Sequence, residues 1–156
     1  MRSAFSYRFT RFDSPRGPIL RPLLPVRLSY AGGWSLETHV LVDSVADYSM
    51  IPNDLAAALR ISMKSLRADK TMGIGPEAVN VAWTEVLMSI GQGRDLLDIR
   101  LPVQIVLDGE GPFFPLLGRH PFFHEFDVSF RMGYTETKGK FVMAPVTHRK
   151  DARKYA

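Results

Sequence analysis

A chain of 156 residues, 46% hydrophobic and 23% charged, has enough apolar material for one domain with a real core, and wholesale disorder is excluded. It has no cysteine, so disulfides, thiolate chemistry and thiolate metal sites are excluded too. The formal net charge is +4, and from Lys138 onward six Lys or Arg stand against one Asp. Such a tail could touch nucleic acid or anionic lipid, but it reads first as a solvated terminus, so nucleic acid is not an expected partner.

No run approaches the ~20 apolar residues of a spanning helix. The start, MRSAFSYRFTRFDSPRG, lacks the apolar stretch of a secretory signal. The expected location is therefore cytoplasmic, with no membrane partner. Of the four histidines, His120 and His124 are spaced by four without an HExxH pattern. They read as a surface pair, and neither metal nor cofactor is expected.

In chain order, Tyr7, Phe9 and Phe12 lie among arginines, and Ser14, Pro15, Gly17 and Pro18 are expected to break any regular element. Leu24 to Tyr30 reads as a first strand, Gly32-Gly33 as a hairpin turn and Leu36 to Val42 as the returning strand. Pro52, Asn53 and Asp54 signal a short helix over about 53–60, with Leu55, Ala56 and Leu59 on its apolar side. The stretch 71–76 is punctuated by glycine. Val79, Val81 and Trp83, then Val86, Met88 and Ile90, predict one long strand or two meeting near Trp83. Gly91 to Asp95 reads as a turn, Ile99 to Leu107 as a strand and Asp108 to Pro112 as a loop. Pro115 to Gly118 reads as an apolar strand, and Pro121 suits the first position of a short helix bearing Phe122, Phe123 and Phe126. Asp127 to Arg131 and Phe141 to Val146 complete a mostly β chain without internal repeats.

Three segments then resemble the retropepsin-type aspartic proteases, a retroviral fold found also in bacterial proteins. Leu41-Val-Asp-Ser-Val-Ala-Asp47 is similar to the active-site turn, Met72-Gly-Ile-Gly75 to the glycine-rich flap, and Leu116-Leu-Gly-Arg119 to the element that precedes a short helix. Order and spacing agree over about residues 24 to 131. The resemblance implies an all-β, closed or partly open acid-protease barrel with a flap hairpin and one or two short helices. It divides the chain into an N-terminal extension (1–22), a protease domain (23–146) and a basic tail (147–156).

Peptide hydrolysis by carboxylates needs two of them sharing one proton, one to activate water and one to protonate the carbonyl oxygen. Only one motif is available here, so if the chain is such an enzyme Asp43 must meet Asp43 of a second subunit, and a two-fold homodimer then follows from counting carboxylates. The resemblance implies the same assembly and a peptide or protein substrate. It gives Ser44 a supporting role between the two turns and pairs Asp47 with Arg119 after Gly118, although an ordinary surface pair would use the same residues. A serine nucleophile would need a base, and His39 is the one rival for that part. Met72, Gly73, Ile74 and Gly75 would close over bound peptide, or else form an ordinary hairpin turn. Pro76 departs from the flap pattern and removes an N–H. Val45, followed by Ala46, stands where the family has glycine, and it adds volume beside the carboxylates. The same residues on a silent scaffold would give a peptide-binding or dimerisation module instead.

Overall fold

The computed structural model describes residues 4–72, 77–92, 94–108, 114–133 and 138–146. Twelve strands are found among them: β1 (Phe5–Arg8), β2 (Thr10–Phe12), β3 (Ile19–Arg21), β4 (Leu23–Ser29), β5 (Ser35–Val42), β6 (Ser49–Ile51), β7 (Arg67–Met72), β8 (Ala78–Gln92), β9 (Asp95–Val106), β10 (Leu116–Leu117), β11 (Phe126–Arg131) and β12 (Lys140–Pro145). The helices are short: α1 (Asn53–Ala58), α2 (Phe122–Glu125) and a 3-10 turn at Met63–Ser65.

The main sheet runs β4-β5-β10-β6-β9-β8-β7, and β4 also pairs with β8 through Arg27↔Ser89, Leu28↔Met88 and Ser29↔Leu87. That second pairing closes six strands into a barrel and leaves β7 as an extra strand on its rim. The alternation in β4 explains its place. Leu24, Val26 and Leu28 are buried while Pro25 and Arg27 face out. Pro25 has no N–H to give, and it lies before the stretch of β4 that β8 engages. Val40 and Val42 of β5, Val86, Met88 and Ile90 of β8, and Leu101, Val103 and Ile105 of β9 fill the interior.

The expected all-β class holds. The stretch from residue 78 to 92 is a single strand, which pairs first with β7 and then with β9. Residues 14–18 do not end regular structure but connect β2 to β3. Ser14 and Gly17 exchange backbone hydrogen bonds, the Ser14 hydroxyl donates to the Gly17 carbonyl at 2.6 Å, and Gly17 takes φ 110°, which favours glycine. Pro121 precedes the first helical residue of α2 rather than occupying it. Helix α1 stops at Ala58, two residues short of the expected end. There Arg60, at φ 59°, donates its N–H to Ala57 and Ile61 donates to Ala56, a left-handed cap that satisfies the last carbonyls.

Candidate active site

The strand order forces the geometry of the segment after β5. β10 lies between β5 and β6, parallel to β5 (Leu116↔Leu41, Leu117↔Val42) and antiparallel to β6 (Leu116↔Met50). The chain leaving β5 at Asp43 must therefore arch over the end of β10 to reach β6. Backbone bonds fix the arch from below. Asp43 N–H donates to the Leu117 carbonyl at 3.0 Å, Arg119 N–H to Ala46 at 2.8 Å and His120 N–H to Asp47 at 2.9 Å.

Gly118 is required where arch and strand cross. A β-carbon there would overlap the Tyr48 carbonyl group and lie 2.9 Å from Tyr48 Cα. The Gly118 N–H donates to Ser49 Oγ at 3.1 Å, and Ser49 is fully buried. No periodic or motif signal marks Ser49. Its hydroxyl is selected by one buried backbone donor that needs an acceptor.

Asp43 is half-buried at the start of the arch. Its Oδ1 accepts the Val45 N–H at 2.9 Å and the Ala46 N–H at 3.2 Å, so one carboxylate oxygen organises the turn. Ser44 is exposed, and its side chain makes no hydrogen bond among the described residues. Val45 is 84% exposed and does not take positive φ. Its backbone thus suits a β-branched residue, and its side chain points away from the barrel.

The Arg119 guanidinium pairs with Asp47 Oδ1, bringing together two residues from opposite sides of the crossing. Both side chains remain more than half exposed. His39 lies apart from this cluster. It lines an outer groove with Arg27, Glu37 and Asp98, and it bonds neither Asp43 nor Ser44 among the described residues.

β7 and the first part of β8 form the stem of a hairpin beside the arch, with Thr71↔Val79 and Met72↔Ala78 as the last pairs. Met72 is exposed at its end; Gly73, Ile74, Gly75 and Pro76 lie outside the described residues. Sequence reading gave no site role to Trp83 at the base of this stem or to Tyr48 beside it, whose rings meet edge-on at 5.0 Å. On the stem, the Lys70 backbone N–H and the Trp83 indole hold the Asp69 carboxyl below the ordinary carboxylate range. Elsewhere, burial raises the Tyr7 phenol, whose hydroxyl donates to the Gly91 carbonyl at 3.1 Å.

His120 and His124 stand edge to face at 5.2 Å. Among the described residues no group of three or more His, Cys, Asp or Glu could hold a metal ion. No described helix is long and apolar enough to cross a membrane.

No family model and no curated protein matches the chain. Among solved structures, a retropepsin-like aspartic protease from Rickettsia conorii aligns over 90% of this chain and 91% of its own, at 14% identity and a TM-score of 0.57. The chain has the retropepsin-like fold. The EIAV protease complexed with the inhibitor HBY-793 aligns over 67% of this chain and 86% of its own, at 21% identity and a TM-score of 0.40. Within this fold the arch from Asp43 to Tyr48 crosses over the end of β10, and the Gly118–Arg119 element runs beneath it.

Proposed function

We propose that the chain is an aspartic-type endopeptidase that works as a two-fold homodimer, with a water activated between the Asp43 carboxylates of its two subunits. The observation that carries this reading is the setting of Asp43. A half-buried carboxylate begins an exposed turn, its Oδ1 is held by two backbone N–H groups, and the turn is braced from beneath by β10 and Arg119. Two carboxylates a few ångströms apart cannot both ionise cheaply, so such a pair holds one proton and can serve as base and acid in one step. Ser44 would steady the two turns against each other. The β7–β8 hairpin, with Met72 at the end of its stem, would cover an extended peptide whose alternate side chains enter pockets.

Val45 favours a second reading, a silent peptide-binding or dimerisation module. A stiff β-branched side chain that is 84% exposed beside Asp43 would crowd a partner turn or a substrate. Displacement of reacting groups by about 1 Å costs on the order of a hundredfold in rate.

The test is cleavage of a diverse peptide pool from acidic to neutral pH by the natural chain, Asp43→Asn and Val45→Gly. Cleavage by the natural chain but not by Asp43→Asn supports the carboxylate pair. Cleavage by Val45→Gly alone assigns silence to one residue. No cleavage by any folded, dimeric variant overturns the protease reading in favour of the binding module.

A further inference from the structure

The β7–β8 stem needs an anchor. All of β7 except Thr71 is exposed, and beyond Val81, where β8 leaves β9, the stem is a two-stranded ribbon, which is marginal by itself in water. β9 holds β8 at the base through Val81↔Val106, Ala82↔Ile105 and Trp83↔Gln104, and the side chains that meet there set the angle of the ribbon beyond it. Trp83 stands there, paired with Arg67 across the ribbon. Its indole N–H reaches Asp69 Oδ2 at 3.1 Å on the opposite strand. The same ring meets the edge of Tyr48 at 5.0 Å and 84°. Tyr48 directly follows Asp47 in the active-site turn, and its backbone is pinned against Gly118.

We infer that Trp83 is a positioning residue: it fastens the β7–β8 stem to the Asp43 turn of its own subunit, through the Tyr48 ring on one side and the Asp69 carboxylate on the other. The two contacts play different parts. The Asp69 bond ties β7 to β8 and holds the indole in one orientation, while the Lys70 N–H at 2.8 Å and Arg67 at 3.7 Å fix the carboxylate. The Tyr48 contact then joins that unit to the arch over β10. An edge-to-face pair is directional, so it specifies an angle and not only a contact. The ring chain continues from Tyr48 to His120 at 6.2 Å, directly beside Arg119. The stem and the ion pair that braces the turn therefore share one aromatic wall. What this does for catalysis rests on the protease reading; the coupling itself does not.

Hydrogen exchange of the full-length chain, read by mass spectrometry, tests the coupling without any substrate. Tyr48→Leu and Asp69→Ala are each expected to speed exchange in residues 67–72 and 78–83 by roughly three- to tenfold, the scale of one lost aromatic contact or hydrogen bond. Tyr48→Phe keeps the ring and is expected to exchange like the parent. β4 and β5 are expected to stay protected in every variant. Unchanged exchange of the stem in Asp69→Ala overturns the inference, and so does acceleration spread evenly through the barrel. If Tyr48→Leu fails to fold, Asp69→Ala decides, because Asp69 is exposed and outside the core. Where cleavage is observed, Asp69→Ala is expected to raise KM more than it lowers kcat, and a fall in kcat at constant KM overturns the positioning role. Absence of cleavage in every variant leaves the exchange result standing and counts against the protease reading alone.

Discussion

Gly118 and Tyr48 occupy one crossing, the first just past β10 where the chain runs beneath the Asp43 turn and the second in the turn itself, with no space for a β-carbon between them. The obstruction is backbone, which cannot swing aside as a flexible side chain can. Gly118→Ala is therefore expected to destabilise the fold by roughly 1–3 kcal/mol, the usual cost of overpacking. It would also lift the turn away from its donors on Arg119 and His120. Urea unfolding measures the first effect, and loss of the proposed activity measures the second. An unchanged midpoint would mean that the crossing is looser than the structure describes.

Asp43 holds the turn and, in the proposed function, carries the chemistry, and substitution can separate the two. Asparagine keeps an oxygen that can accept the Val45 and Ala46 N–H groups, whereas alanine leaves both donors to water. Asp43→Asn is expected to unfold within a few tenths of a kcal/mol of the parent, and Asp43→Ala to lose about 1 kcal/mol. Both are expected to abolish cleavage. Activity retained by Asp43→Asn at parental levels would rule out the carboxylate mechanism.

What is local in the fold was legible in the sequence. Apolar runs bounded by turn residues placed β4, β5 and most of β9, alternation placed β8, and the structure sets Asp43 and Asp47 in a turn against Gly118 and Arg119. What escaped depends on partners distant in sequence. β6 has only three residues, held by β9 on one side and β10 on the other. β7, with Arg67, Asp69 and Lys70, lies on an exposed ribbon and shows no apolar alternation. β2 and β3 flank a Pro- and Gly-rich turn that looked like an interruption. Tyr48 and Trp83 carry no shared motif; only the register of β8 against the barrel brings their rings together.

The Arg119–Asp47 pair is expected to matter more for activity than for stability. Both side chains are largely exposed, and pairs of this kind contribute about 0–1 kcal/mol. The turn is also held by backbone bonds that do not involve either side chain. Asp47→Asn should shift the unfolding midpoint little while lowering cleavage, because the arch loses its lateral brace. A stability loss well above 1 kcal/mol in a double-mutant cycle with Arg119→Lys would show that the pair is coupled to the core.

Asp69 sets a pH window for the stem. Its folded pKa is lowered by the Lys70 N–H and the Trp83 indole. Its contribution to stability is therefore full above the ordinary carboxylate pKa and is lost as pH falls through the lowered folded value. The chain has two tryptophans, so Trp34→Phe leaves Trp83 as the sole indole reporter. Its emission is expected to titrate with a midpoint below the ordinary carboxylate range, and Asp69→Asn should remove that transition. A midpoint at or above the ordinary range would mean that the indole does not favour the charged form.

Val45 decides between the two functional readings by its size. Since it is 84% exposed and not at positive φ, Val45→Gly removes no core contact and relieves no backbone strain. The variant is expected to lose about 0.5–1 kcal/mol through the freer unfolded chain. If the valine crowds the partner turn, the smaller residue should nevertheless tighten the dimer in sedimentation equilibrium and raise kcat for peptide cleavage. If it instead packs across the two-fold axis as an apolar contact, the dimer should weaken and cleavage should fall with it. Dimer affinity and kcat are thus expected to move in the same direction, and a kcat that rises while the dimer weakens would place the site within one subunit.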